Sequence, residues 1–349
     1  MHSYLLALVS TFLCLWFLIP FARHIGLVDR PVGRKQHAGE IPLIGGLAMG
    51  TAFILSVLTI SSQPSDIHSF IFASIILIGI GVLDDYQDMG VRVRLFAQLM
   101  AALIMTSTAS HVISNLGNLL GEGDVLLGDW AIPFSVFAVM GVINALNMSD
   151  GIDGLAGSMS LISFISMYIL ALAAGRPEAD ILLLFICILV PFLFLNLPFF
   201  GKIRACVFMG DAGSMFLGFS LAWYFTVLCQ GENAVLSPVT ALWILAVPLF
   251  DTVSIMLRRM LKGHSPFRPD RDHFHHVFQA AGYSNRKTLL IIIFTQIVFA
   301  VAGIAGYKMG VPDSVMLLIY LILLGLFFWA LKRAWYVMRV LRQIGGGAA

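Results

Sequence analysis

Eleven apolar stretches succeed one another along this chain, separated by short polar segments: residues 3–21, 43–61, 69–83, 93–111, 131–146, 155–174, 181–197, 205–229, 236–257, 288–307 and 315–331. A bilayer core of ~30 Å takes about 20 helical residues, and backbone in lipid must satisfy its own hydrogen bonds. The chain therefore reads as all-α, a polytopic membrane protein with about eleven transmembrane helices and short loops. The windows 69–83 and 131–146 are short, so less tilted or partly re-entrant segments are expected there. Charged residues make up 11% of the chain, against about 25% in soluble domains, which excludes a soluble fold. The first run has no basic residue before it and Arg23 after it, the reverse of a cleavable signal, so it is read as a retained span. Cys14, Cys187, Cys206 and Cys229 lie in or beside apolar runs at spacings that suit neither zinc nor a disulfide framework.

Sorting lysine and arginine by alternating loops places nineteen on one side and only Arg176 and Lys308 on the other. Positive charge accumulates in cytoplasmic loops. The amino terminus is therefore expected outside and the carboxyl terminus inside. The whole chain, 1–349, is read as one integral-membrane domain. A long inner loop spans 258–287, and the basic tail 332–349 suits anionic headgroups. The outer loop 111–130 is acidic and rich in glycine, and suits a short hairpin.

The polar residues crowd the inner side. Segment 144–157 holds Asn144, Asn147, Asp150 and Asp153 with Gly151, Gly154 and Gly157. Four oxygen-bearing side chains exceed what a capped turn needs. The spacing of Asp150 and Asp153 puts both on one side of even a partly helical turn. Asp84, Asp85 and Asp88 end another apolar run, with Arg92 and Arg94 following. Three carboxylates so close need a cationic counterpart, either those arginines or a divalent ion. Asp211 and Asp251 each lie seven residues from a basic residue, Arg204 and Arg258. At helical rise that is roughly 10 Å inside an apolar span, where a carboxylate defaults to function. The early inner loop carries Arg34, Lys35 and His37. The long one carries Arg268, Arg271, His273, His275 and His276. Without cysteines or a His-x-x-Glu-His helix, these histidines suit phosphate oxygens better than structural zinc.

Carboxylates for a metal, and cations for anionic oxygens, near one membrane face suit phosphoryl transfer between a nucleotide-borne group and a lipid phosphate. A transporter of an anionic substrate is the alternative, but it would hold its polar residues near the bilayer midplane.

In order along the chain come Asp29-Arg30-Pro31 with Arg34, Lys35 and His37, then Gly45-Gly46, then Asp84, Asp85 and Asp88. Next are segment 144–156, Phe208-Met209-Gly210-Asp211 with Gly213 and Ser214, and Asp251-Thr252. Ser265-Pro266-Phe267 with His273, His275 and His276 closes the series. In this series the chain resembles the polyprenyl-phosphate N-acetylhexosamine-1-phosphate transferases. Within that family it is most similar to the bacterial enzymes that load N-acetylglucosamine-1-phosphate onto undecaprenyl phosphate. The paralogues that transfer phospho-N-acetylmuramoyl-pentapeptide usually carry three consecutive histidines, which Phe274 interrupts here. A lysine often follows the paired aspartates in relatives; here the nearest basic residue after Asp88 beyond Arg92 is Arg94.

The resemblance implies a bacterial inner-membrane enzyme using UDP-N-acetylglucosamine and undecaprenyl phosphate and releasing UMP. The product would feed cell-surface polysaccharide synthesis. It implies Mg²⁺, or Mn²⁺ in its place, at Asp85, Asp150 and Asp211. Asp84, Asp85, Asp211 and His273 are implied as catalytic. Asn147, Asp150, Asp153, Lys35 and Phe208 are implied on the nucleotide side, Phe208 stacking on uracil. Arg268, Arg271, His275 and His276, with His273, are implied on the pyrophosphate. Nucleic acid is not an expected partner, membrane lipid is, and a homodimer is left open. Direct displacement at phosphorus and a covalent aspartyl route both remain open at the level of residues.

Overall fold

A computed structural model describes residues 2–30, 39–60, 63–199, 204–266 and 273–333. Lys35, Arg268 and Arg271 lie outside the described residues, as do Arg34, His37, Lys202 and the tail from 334 onward. The chain divides into two compact units, Met1–Ser114 with Leu127–Val235, and Asn115–Leu126 with Leu236–Ala349.

The first unit holds α1 (His2–Ile25), a two-residue antiparallel pair β1 (Val28–Asp29) and β2 (Ile41–Pro42), α2 (Gly45–Val57), α3 (Ile67–Gln87) and α4 (Val91–Ser107). It continues with α5 (Ala131–Ser149), α6 (Leu155–Ala173), α7 (Glu178–Asn196) and α8 (Gly210–Cys229). Helix α8 is the axis of this unit. It is buried along nearly its whole length and packs against α2, α3, α5 and α6. A helix apolar all round belongs inside a bundle. Its Phe216, Phe219 and Trp223 join an aromatic core with Phe53, Phe70, Phe164 and Phe185. Phe185 stacks on Phe53 at 4.5 Å and on Phe164 at 4.4 Å, and Phe70 meets Trp223 edge-on at 5.2 Å. Each such ring pair adds about 0.5–1.5 kcal/mol beyond its buried area. Near its start α8 is approached by small residues. A Cβ on Gly46 would lie 2.1 Å from the Gly213 nitrogen, and one on Gly81 would lie 2.3 Å from the Ala212 Cα. Small residues let helix backbones meet closely where lipid supplies no hydrophobic drive.

The second unit holds α9 (Pro238–Ile244), α10 (Ala246–Leu261), α11 (Phe274–Ala280), α12 (Asn285–Lys308) and α13 (Asp313–Lys332). Its core gathers Trp243, Phe250, Met316 and Tyr320. Helices α9 and α10 meet at 85°. Pro248 has no N–H to give the Ile244 carbonyl four residues back. The buried amide of Gln296 supplies the donor instead, and its Oε1 accepts from the Val247 N–H at 3.1 Å. Among residues 115–126, Asn115 bridges Leu126 and the Leu116 N–H reaches the Val125 carbonyl at 3.0 Å, the hairpin expected in the outer loop.

Each of the eleven apolar windows contains helix, and the all-α membrane class stands. Among the described residues, eight helices are long and apolar enough to span, and the α9–α10 pair makes up to nine. Helix α2 has 13 residues and α4 has 17, so these two windows fall short of the tally of about eleven. The windows expected to be short are not: α3 has 21 residues and α5 has 19. Helix α3 extends into the polar Asp84-Asp85 end, which a hydropathy window discards. Asp211 is also placed differently from the depth reasoning. Residues 205–209 are not helical, and the Phe208 N–H donates to Pro42 O at 2.9 Å. Asp211 therefore sits in the first turn of α8, not seven residues into a helix.

Candidate active site

The site of the first unit forms where four helix ends converge on the start of α8. Gly210 begins that helix at φ +72°, in the left-handed region that glycine enters at no cost. A Cβ there would lie 2.4 Å from Asp85 Oδ2, so the residue that turns the chain also makes room for the carboxylate beside it. Asp85 Oδ1 accepts from the Asp211 N–H at 2.8 Å and Oδ2 from the Ala212 N–H at 3.3 Å. These are N–H groups that the first turn of a helix cannot satisfy internally, and an anion is favoured there. The residue implied as a metal ligand thus also caps the central helix.

Asp211 Oδ1 accepts from Asn147 Nδ2 at 2.6 Å, and that amide also donates to Ser214 Oγ at 2.9 Å. Asp211 Oδ2 accepts from Arg94 Nη1 at 2.7 Å. The same Nη1 donates to Asp84 Oδ2 at 3.1 Å. Arg94 therefore links the end of α3 to the start of α8, a role that spacing alone did not reveal. Asp84 is buried, and its Oδ1 has no hydrogen-bond partner. Asp88 ends α3 at φ +50° and its N–H returns to Asp84 O at 2.8 Å.

The turn between α5 and α6 carries Asp150 and Asp153. Asp153 Oδ2 accepts from the Ala205 N–H at 2.9 Å, joining this turn to the segment before α8. Asp150 stays exposed at the surface. Crowding that strips water, then the charges of Asp211 and Asp153, nevertheless push its carboxyl up to about 7. The two carboxyl groups stay within electrostatic reach of one another, though the turn that carries them is not helical. Asn144 points elsewhere, donating to Gln98 Oε1 and Met140 O, both at 2.7 Å. Phe208 is half-buried, and its carbonyl accepts from the Gly45 N–H at 3.0 Å. Buried Asn196, overlooked in the sequence, accepts from the Gly154 N–H at 2.9 Å and donates to Val207 O at 2.8 Å. Its signal was there: an amide within an apolar run.

In the second unit, Asp251 Oδ2 pairs with His273 Nδ1 at 2.9 Å, and Oδ1 accepts from the Phe274 N–H at 2.9 Å. Asp251 so orients His273 and caps α11. His275 is buried with its Nε2 unpartnered. Burial first, then the rings of His276 and His273, hold it down to about 2, so it is neutral at physiological pH. The ring centroids of His275 and His276 lie 4.1 Å apart.

Among the described residues, no three His, Cys, Asp or Glu groups already surround one cation position. The donor set still suits a hard dication. Asp84, Asp85 and Asp211 have one cation between them in Arg94, Asp150 lies within electrostatic reach of Asp211, and Asp84 keeps a buried oxygen unused.

The family described as glycosyl transferase family 4 matches residues 67–229, which take in Asp84 through Asp211. A Yersinia pestis protein named undecaprenyl-phosphate alpha-N-acetylglucosaminyl 1-phosphate transferase is 38% identical over 91% of this chain and 88% of its own length. Proteins of the same name from Escherichia coli K12 and Haemophilus influenzae are 38% and 39% identical. They cover 96% and 99% of this chain, and 91% and 97% of their own lengths.

Proposed function

Since the chain belongs to glycosyl transferase family 4, we propose that it transfers N-acetylglucosamine-1-phosphate from UDP-N-acetylglucosamine to undecaprenyl phosphate and releases UMP. The observation that carries this reading is the convergence of Asp84, Asp85, Arg94, Asn147 and Asp211 at the start of the buried helix α8. A lipid phosphate oxygen attacks the sugar-bearing β-phosphorus in a single displacement. The bond from that phosphorus to the oxygen bridging it to the α-phosphate breaks, and UMP leaves with the electron pair. The acceptor becomes undecaprenyl-diphospho-N-acetylglucosamine.

Asp84 is assigned to orient the lipid phosphate and take its proton, because its Oδ1 is uncommitted. Asp85 holds the first turn of α8, and so the position of Asp211. Asn147 fixes the rotamer of Asp211 through Oδ1. Mg²⁺, with Mn²⁺ as substitute, would be held by Asp211 and Asp150 with Asp85 close by. When bound it would neutralise the two meeting anions and polarise the phosphorus. Phe208 and Asp153 are assigned to the nucleotide, on the resemblance, as is Lys35. The roles implied for His273, His275 and His276, and for Arg268 and Arg271, stand as a separate proposal, contact with the diphosphate. The fold supports a membrane enzyme, and the one-sided lysine and arginine support its placement in a bacterial inner membrane with the reaction on the cytoplasmic side. The product would open a cell-surface polysaccharide pathway.

The test is transfer of radiolabel from a panel of UDP-sugars to undecaprenyl phosphate by the purified protein. N-acetylglucosamine should be transferred best, with UMP released in equal amount, and excess chelator should stop turnover reversibly. Preference for the muramoyl-pentapeptide donor would reassign the sugar. Substrate counterflow in vesicles without UMP would replace the enzyme with a transporter. A sugar-phosphoryl protein formed without lipid would overturn single displacement.

A further inference from the structure

Arg94 holds Asp84 and Asp211 together through one nitrogen. Both bonds run from Nη1, at 3.1 Å to Asp84 Oδ2 and 2.7 Å to Asp211 Oδ2. Strong guanidinium–carboxylate pairs use two parallel N–H···O bonds to one carboxylate. Here a single edge atom is shared between two carboxylates from different helices, a geometry that a competitor can break one bond at a time. The Arg94 side chain also keeps 27% of its surface and that of Asp211 26%, against 5% for Asp84. The pair is open to the site from the Asp211 side. Asp85 also sets its carboxyl group against the Asp211 backbone, and Asp84 Oδ1 is buried without a hydrogen-bond partner.

We propose that Arg94 is a displaceable internal counter-ion. It bridges Asp84 and Asp211 in the cation-free protein, and it yields those oxygens when a divalent cation binds, so that it sets the concentration at which the site fills. The inference rests on the metal reading above and deepens it. It also gives a reason for a cation on the first turn of α4. A permanent pair needs the fork, whereas a placeholder needs only charge at the right point.

The experiment measures Mn²⁺ binding to the detergent-purified protein by the loss of the free-ion electron paramagnetic resonance signal, with Mg²⁺ as competitor and no substrate present. Removing a charge a few ångströms from the ion should tighten binding in Arg94→Gln by about tenfold or more. Arg94→Lys, which keeps the charge, should stay within about threefold of the parent. Mn²⁺ should also raise the unfolding temperature of Arg94→Gln by more than it raises that of the parent. If the parent itself binds no Mn²⁺, the metal reading falls and this inference with it. If the parent binds but Arg94→Gln binds equally or more weakly, the metal reading survives and the counter-ion role is overturned. Arg94→Gln that folds only with Mn²⁺ supports the inference, because the ion then replaces the lost charge. Failure to fold with or without Mn²⁺ overturns it.

Discussion

A carboxylate near hydrocarbon survives only if something meets its charge, and each aspartate at the start of α8 is met differently. Asp85 takes two backbone N–H groups, Asp211 an amide and a guanidinium, and Asp84 the shared guanidinium with a carboxyl–carboxyl contact to Asp211. This ranks their substitutions. Asp84→Asn should cut kcat by at least about a hundredfold, as loss of a proton-handling group does. Its thermal unfolding should fall less than that of Asp85→Asn, because the amide keeps one oxygen for Arg94 and Asp84 Oδ1 has no hydrogen bond to lose. Asp85→Asn should lose activity and stability together, since an amide presents one acceptor where the helix end uses two. Radiolabel transfer and detergent melts measure both, and an Asp84→Asn protein with full turnover would remove that residue from the chemistry. The identities of these aspartates were legible as carboxylates at the ends of apolar runs. Their division of labour was not, because Asp85 and Asp211 are far apart in sequence and meet through the packing of α3 on α8, closest where Gly81 approaches Ala212. Asn196 was missed for a related reason: a lone amide in Leu195-Asn196-Leu197 looks like a helix end until its two loop partners are seen.

At the scale of elements, the chain breaks its helices where a side chain elsewhere can mend them. Gln296 of α12 bonds a backbone group on each side of the bend between α9 and α10. Gln296→Leu should destabilise the protein by about 1–3 kcal/mol, the cost of stranding buried polar groups. The loss should shrink in a Pro248→Ala background, where the N–H of residue 248 can return to the Ile244 carbonyl. An unchanged loss in this double-mutant cycle of melts would separate the glutamine from the bend. The bend was not legible because hydropathy averages over Pro248, and an isolated glutamine does not name its partner. At the start of α3 a second device ties a loop to a helix end. His111 Nε2 meets Asp66 Oδ2 at 2.5 Å, with the imidazole edge-on to Trp223 at 5.0 Å. Burial raises the Asp66 carboxyl, but the hydrogen bond and charge of His111 outweigh it, and the net shift is downward. A carboxylate lowered on folding contributes stability above its unfolded value of about 3.9 and loses it as pH falls through the folded value. Asp66→Asn should therefore melt earlier than the parent at pH 7 by on the order of 1 kcal/mol. The two should converge as pH falls below about 4, and a gap that persists there undiminished would contradict the pairing.

For the whole molecule, sidedness decides whether the proposed chemistry meets its nucleotide. Short loops with lysine and arginine on one side fix orientation as the chain inserts, so the sequence orders the loops before any helix packs. The orientation proposed from lysine and arginine in alternating loops puts the Asp84-Asp85 end of α3 and Arg204 on the basic side, and the loop 111–130 on the other. Cys206 is exposed and free, two residues beyond Arg204, whereas Cys14, Cys187 and Cys229 are half-buried. A membrane-impermeant maleimide should leave Cys206 unmodified in intact cells and modify it in inverted vesicles. A cysteine in place of exposed Glu122, in a variant carrying Cys206→Ser, should behave in the opposite way. Labelling of Cys206 from outside would place the aspartates, and Arg94 with them, on the face that nucleotide sugars do not reach. Because Cys206 lies one residue after Ala205, whose N–H is held by Asp153, the same reagent reads the site itself. UDP-N-acetylglucosamine bound at Asp153 and Phe208 should slow modification in inverted vesicles, and uridine alone should slow it less. No protection by nucleotide sugar, with transfer intact, would move the nucleotide away from this segment while leaving the orientation in place.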